Sequence, residues 1–334
     1  MKYRQLPRTD LQLSEVGFGL WTVATNWWGR IEESDKVRLL EQAVEMGVNL
    51  FDTADTYGEG YGEEILAKSL GHARHDIVIA TKFGYDWYDN IERIGHKERP
   101  QRFEPDFIRY ACEQSLRRLK TDYIDLFQLH NPRIDAIEND EVFDLLEALV
   151  QEGKIRYYGS ALGPDIGWFE EGEASMRERH VSSVQIIYSI LEQDPARRFF
   201  PIAQEEDVGL LSRVPHASEV LTGKFTEPPE FDPTDHRAHR KHEWMVDALK
   251  KAAQTRFLAE ETGRTMSQAA IKFCLAKGSI VSVLPNITRM DELEEYTSAP
   301  DTPDLGPEEE ALLDDLWENG FYLEEAAAAP QGES

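Results

Sequence analysis

Cysteine is almost missing from this chain of 334 residues: Cys112 and Cys274 are the whole complement. Both fall in amphipathic helical patterns, so two buried, reduced thiols are expected rather than a disulfide framework or a metal pair. Long apolar runs are missing too. No stretch reaches the roughly eighteen residues that a membrane-crossing helix needs, so no membrane span is expected. The opening residues, MKYRQLPRTD, lack the hydrophobic segment of a secretory signal, and a cytoplasmic protein is predicted. Basic residues are scarce: 36 Lys and Arg stand against 63 Asp and Glu, for a net charge of −27. That balance excludes nucleic acid and anionic membrane as partners. The acids are spread along the chain rather than blocked, as on a solvated surface. A similar excess accompanies adaptation to high salt, where screening weakens self-repulsion. A glycine-rich dinucleotide loop is the last absence. The GFGLW stretch of Gly17 to Trp21 does not match the GxGxxG pattern that a doubly wound open sheet places after its first strand.

What is present is an alternation of short apolar runs with amphipathic helical stretches. Residues 2–6 and 11–13 flank Pro7 to Asp10 as an N-terminal β-hairpin. Strand patterns then follow at Val16–Gly19, Val48–Phe51, Ile77–Lys82, Tyr123–His130, Ile155–Leu162, Val184–Tyr188, Val208–Arg213 and Ile280–Leu284. Helical sequence separates them, with Ser34 as a predicted cap, glycine stops at Gly47 and Gly71, and Pro105 in a first turn. Eight strands each followed by helix predict an α/β protein, a closed (β/α)8 TIM barrel with an N-terminal hairpin and extra C-terminal helices. Barrels of this length form one unit, so residues 1–324 read as a single domain and 325–334 as a disordered acidic tail.

The chain is organised around VNLFDTADTYGEGYGEE, residues 48–64. A short buried strand ends at Asp52, and Gly58, Gly60 and Gly62 make a loop that holds Tyr57. Alone, such an acid and ring are more often a turn cap and a half-buried side chain. The other strand ends change that reading. In a barrel the reacting groups stand at the C-terminal strand ends. Those ends carry Asp52 with Tyr57 beyond it, Lys82, and His130. A phenol near pKa 10 is a poor proton donor at neutral pH unless shifted. A buried ammonium favours its phenolate, a carboxylate holds the ammonium in place, and an imidazole orients a substrate oxygen. Lys82 could instead snorkel, Asp52 cap and His130 be a satisfied strand-end histidine. Their joint position at successive strand exits argues for one proton-handling site.

Over nearly its full length the chain resembles the aldo-keto reductases. The segments that carry the resemblance are FDTADTYGEGYGEE, IVIATKFG, YIDLFQLHNP, GKIRYYG, VQIIYS, LTGKF and VLPNITRMDELEE. It implies hydride transfer between a nicotinamide cofactor and an aldehyde or ketone, or the matching alcohol or sugar. Tyr57 is then the general acid, Lys82 its pKa-lowering partner, Asp52 the anchor of that lysine and His130 the orienting imidazole. Cofactor contacts are implied for Trp21, Asp52, Asn131, Gln185, Val214, Pro215, Leu221, Lys224, Thr288, Arg289 and Glu292. Trp21, Trp27, Trp28, Tyr85 and Trp87 would line the substrate mouth, with the Phe83–Phe103 and Pro228–His242 loops setting specificity.

The departures from the family pattern are as informative. Ala161 and Leu162 stand where Ser-Asn usually holds the nicotinamide carboxamide. Arg213-Val214-Pro215-His216 replaces a Trp-Ser-Pro-Leu type motif, and Glu219 lies in the segment expected over the pyrophosphate. At the adenosine end Asn286 and Glu292 replace usual phosphate-binding residues, leaving Arg289. A carboxylate repels a 2′-phosphate but accepts hydrogen bonds from a ribose 2′-hydroxyl. The resemblance implies NADP(H); this substitution opens NAD(H). Two other uses stay open at this point: non-redox lyase or epimerase chemistry on the same four residues, and nucleotide sensing without turnover.

Overall fold

The computed structural model describes residues 1–88, 98–163, 168–233 and 235–323. The acidic tail and the centre of the Phe83–Phe103 loop lie outside the described residues. The hairpin forms as strands β1 (Tyr3–Gln5) and β2 (Gln12–Ser14), paired antiparallel. Eight parallel strands follow in sequential order: β3 (Phe18–Gly19), β4 (Leu50–Asp52), β5 (Val78–Phe83), β6 (Ile124–His130), β7 (Ile155–Ala161), β8 (Ser183–Ile187), β9 (Gly209–Arg213) and β10 (Ile280–Leu284). The expected strand at Val16–Gly19 is divided. Phe18 and Gly19 pair with β4, while Val16 bridges Val283 in the last strand and brings the two ends of the sheet together. That join makes the sheet a barrel.

Helices wrap the outside: α1 (Trp21–Ala24), α2 (Glu33–Glu45), α3 (Tyr61–Leu70), α4 (Pro105–Leu119), α5 (Ile134–Glu138), α6 (Asp140–Gln151), α7 (Phe169–Arg177), α8 (Ala196–Glu205), α9 (His242–Gln254), α10 (Met266–Leu275), α11 (Met290–Thr297) and α12 (Pro307–Glu318). Their buried faces and the outward residues of the strands form one continuous core. The cap of α2 is Glu32, not Ser34, because the helix begins one residue before that serine. Sequence patterning predicts a helix over roughly Trp244–Glu261; the observed one starts earlier, at His242, and ends at Gln254. The tetrapeptide helix after β3 and the short α5 carry too few residues to show a helical period, and sequence patterning passed over both.

A second, smaller core fills the barrel. Leu6, Leu11 and Leu13 of the hairpin region pack against Leu50, Val78, Ala80, Leu126, Leu211, Val281 and Leu284. The hairpin therefore closes the barrel from its N-terminal end, which leaves the C-terminal end as the open mouth.

Candidate active site

Side chains of a strand alternate between its two faces, so residues two apart share the barrel interior. Counting upward from the inner core gives the site directly. Leu50 is followed by Asp52, Val78 and Ala80 by Lys82, Leu126 by Gln128 and His130, and Leu211 by Arg213. On these four strands the interior thus changes from apolar at the bottom to polar or charged at the top. Gly159 of β7 makes room for this layer: a Cβ there would stand 2.4 Å from Ser183 Oγ and 2.8 Å from the Ser183 carbonyl.

The four predicted catalytic residues come together. Lys82 is buried and donates to Asp52 Oδ1 at 2.5 Å, to the Thr53 carbonyl at 2.7 Å and to Tyr57 Oη at 3.4 Å. An ammonium has three hydrogens, and all three are assigned here. Because Tyr57 Oη accepts from Lys82, its own O–H is directed elsewhere. The His130 ring lies edge-on to the Tyr57 ring, with centroids 5.8 Å apart, and edge-on to Tyr85 at 4.9 Å. His130 is held well below the ordinary imidazole range, first by burial and then by the cations Lys82 and Arg213. It is neutral at physiological pH.

Asp52 is held on both oxygens. Its Oδ2 accepts from Gln128 Nε2 at 3.1 Å and from Gln185 Nε2 at 2.9 Å. Gln185, expected at the cofactor carboxamide, braces this carboxylate. Asn131 donates to Tyr85 Oη at 2.8 Å, and its backbone φ of 51° places it in the left-handed region that Asn tolerates. Ala161 and Leu162 offer no polar side chain; the Leu162 carbonyl accepts from Arg213 Nη2 at 2.7 Å. Sequence reasoning treated Arg213 only as a departure and missed Gln128. The period of two from Leu211 and Leu126 would have found both.

Several of the residues expected at the adenosine end gather around a cavity of about 790 Å³. Lys224, Asn286, Thr288, Arg289 and Glu292 line it, joined by Glu219, Arg237 and Trp28. Trp21, Asn131, Gln185, Val214, Pro215 and Leu221 are not part of its wall, and Leu221 is fully buried in the core. Glu292 accepts from Lys224 Nζ at 2.7 Å, from the Thr288 amide at 3.0 Å and from Thr288 Oγ1 at 2.8 Å. Arg289 stands 3.3 Å from it. Burial pushes the Glu292 carboxyl up, but Lys224 and Thr288 outweigh it and hold it below the ordinary range. Glu219 is the reverse case. Burial and the neighbouring Glu292 push it up to about 7, and Lys224 stays 4.0 Å away. The loop that carries Glu219 is strained, with left-handed backbone at Val214, Ala217, Ser218 and Glu219.

The aromatic residues divide. Trp21 packs edge-on to Trp27, Trp28 and His236, so the Pro228–His242 loop does reach the tryptophan cluster. Trp87 does not join it. Its ring stacks on Tyr88 at 4.3 Å and faces Arg118.

The donor and acceptor set at this cavity fits a dinucleotide. Glu292 is an ionised acceptor facing the cavity, and Lys224 and Arg289 are cations at its edge. The pattern of the Aldo/keto reductase family matches residues 15–318. An oxidoreductase of Bacillus subtilis (strain 168), YqkF, is 30% identical over 96% of this chain and 98% of its own length. The holo structure of aldo-keto reductase AKR11C1 from Bacillus halodurans superposes with a TM-score of 0.75 at 30% identity, covering 95% of this chain and 96% of that one. Glycerol dehydrogenase AKR11B4 from Gluconobacter oxydans gives 0.80 at 26% identity, covering 100% and 98%. With its barrel, its strand-end residues and this family match, the chain belongs to the aldo-keto reductases, which use nicotinamide cofactors on small carbonyl compounds.

Proposed function

We propose that this protein reduces an aldehyde or ketone, or oxidises the matching alcohol, with Tyr57 as the general acid or base. The observation that carries the reading is the hydrogen-bond count at Lys82. Its three donors are assigned to Asp52, Thr53 and Tyr57, which frees the Tyr57 hydroxyl hydrogen for a substrate oxygen. When bound, a reduced nicotinamide supplies the hydride that the carbonyl carbon accepts. Tyr57 gives its proton to the carbonyl oxygen as the alkoxide forms, and Lys82 stabilises the phenolate left behind. Asp52 keeps that ammonium in register. Neutral His130 can donate one hydrogen bond to the same oxygen without bringing a second charge. In the oxidative direction the proton runs back to Tyr57.

The carboxylate of Glu292 supports NAD(H) over NADP(H). Lys224 and Thr288 are already committed to it, so a 2′-phosphate would meet an anion with its counter-ion taken. A ribose hydroxyl could instead donate to it. The likeness to a glycerol dehydrogenase adds small polyols to the aldehydes, ketones and sugars worth testing. Two reduced, buried cysteines support work in the cytoplasm.

The test follows NADH and NADPH absorbance with each substrate class in wild type and Tyr57→Phe. The variant should lose at least ~100-fold in turnover, the range of a positioned acid–base group, and keep its cofactor affinity. Unchanged turnover would overturn the role of Tyr57. Turnover that needs no nicotinamide would favour lyase or epimerase chemistry instead.

A further inference from the structure

Behind the Tyr57 loop lies a buried charged network that the proposed chemistry does not use. Arg118 of α4 donates through Nε to Glu63 Oε2 at 2.7 Å, and both side chains are largely shielded, at 13% and 0% exposure. The other carboxylate oxygen of Glu63 accepts from Thr81 Oγ1 at 2.6 Å, next to Lys82 on β5. Arg118 Nη2 donates to Tyr88 Oη at 3.0 Å, and Tyr88 donates in turn to Asp55 Oδ2 at 3.1 Å. The Arg118 side chain also lies against the turn at Gly60. A Cβ there would stand 2.6 Å from Arg118 Cδ, and φ is 92°.

These contacts bracket Tyr57 on three sides. Asp55 precedes it, Gly60 and Glu63 follow it, and Thr81 adjoins its lysine partner. We propose that Arg118 is a positioning residue, which fixes the loop so that Tyr57 Oη stays within reach of Lys82 Nζ. A buried ion pair is weak evidence for stability, since apolar replacements are often as stable, and its better-attested use is to select one arrangement. The 3.4 Å between Tyr57 and Lys82 is already at the outer limit of a hydrogen bond, where small displacements abolish it. Asp55 fits the same purpose. Its carboxyl is pushed up to about 8, first by burial and then by Glu63, so near neutrality it is a protonated partner in the network.

The inference rests on the catalytic reading of Tyr57, and its test separates the two. Arg118→Ala, Arg118→Lys and Tyr88→Phe are compared with wild type for kcat, KM, cofactor affinity and the pH profile of kcat. Arg118→Ala should lose ~30- to 100-fold in kcat, the scale of a misplacement of about 1 Å, with KM and cofactor affinity within about threefold. Added guanidinium should restore part of the loss, and Arg118→Lys should retain part of it. Tyr88→Phe, which removes one hydroxyl and no bulk, should show a smaller loss of the same kind, even where Arg118→Ala does not fold. A crystal structure of Tyr88→Phe gives a readout free of activity: Tyr57 Oη should move out of hydrogen-bond reach of Lys82. An unmoved Tyr57, or a loss that tracks the folded fraction and is not rescued, overturns the inference. Wild type that turns over no nicotinamide overturns the catalytic reading and leaves the positional result to stand or fall by the crystal structure.

Discussion

Gln185 and Asp52, on non-adjacent barrel strands, are joined by a 2.9 Å hydrogen bond from the amide nitrogen to the carboxylate. Gln128 and Lys82 donate to the same carboxylate at 3.1 and 2.5 Å. Three donors thus converge on one anion, and the Lys82 ammonium, facing Tyr57, depends on it.

Asp52→Asn tests that convergence. The asparagine offers one acceptor oxygen and turns an amide donor toward donors. Breaking a buried pair by removing one partner costs ~3–5 kcal/mol, which should appear as a lowered urea midpoint. Gln185→Leu removes one hydrogen bond and leaves Gln128 and Lys82 in place, so its cost should stay near ~1–3 kcal/mol. Equal losses for the two variants would show that the carboxylate is not the centre of the arrangement.

Much of this was legible in the sequence because barrel strands are short apolar runs ended by chemistry. Asp52, Lys82 and His130 are each the last inward residue of such a run, or next to the last residue of the strand. Helix α3 stops at Gly71 and α4 starts at Pro105, where glycine and proline mark their ends in the sequence. What stayed hidden depends on contacts across strands. That Gln185 turns to Asp52, or that Lys224 is drawn to Glu292 rather than Glu219, follows from barrel closure and loop paths, not from local pattern.

The two cysteines should be inert. Cys112 on α4 and Cys274 on α10 are fully buried, and burial pushes each thiol up to about 12. Reactivity belongs to the thiolate, so a maleimide should label neither in the native protein at neutral pH. Both should label in denaturant. Rapid labelling of the folded protein would show that α4 or α10 opens locally.

His216 gives the protein a defined sensitivity to acid. It is buried, its Nε2 lies 3.1 Å from the Ser267 carbonyl, and burial lowers it from 6.5 to about 4. Between those values the unfolded chain binds a proton that the native state refuses. Stability from the neutral form is complete above about pH 6.5 and is lost as pH falls toward 4. Each pH unit crossed inside that window costs ~1.36 kcal/mol, so the loss from neutral pH to about pH 5 is about 2 kcal/mol. His130 adds to the wild-type slope in the same direction, since its range is also depressed. His216→Leu should therefore flatten, not abolish, the fall of the urea midpoint over that window. A slope equal to that of wild type would mean that His216 is not buried neutral.

Its charge at the cavity edge makes Glu292 the residue on which to test the proposed cofactor preference. It is 4% exposed, ionised, and holds Lys224, Thr288 and Arg289 on itself at the edge of the cavity. A 2′-phosphate entering there must compete with a carboxylate for the same cations, whereas a ribose hydroxyl meets an acceptor. Glu292→Gln keeps the shape, removes the charge and releases Lys224. A hydrogen bond to a charged group contributes ~1.5–3 kcal/mol, so the ratio of kcat/KM for NADPH over NADH should rise by ~10- to 100-fold. Lys224→Met in the wild-type background should instead lower it, because the carboxylate then faces the phosphate without its counter-ion. KM for the carbonyl substrate should stay within about twofold in both variants, since neither residue lies at the Tyr57 end. If the cofactor ratio is unmoved by either change, the cavity beside Glu292 does not receive the adenosine ribose.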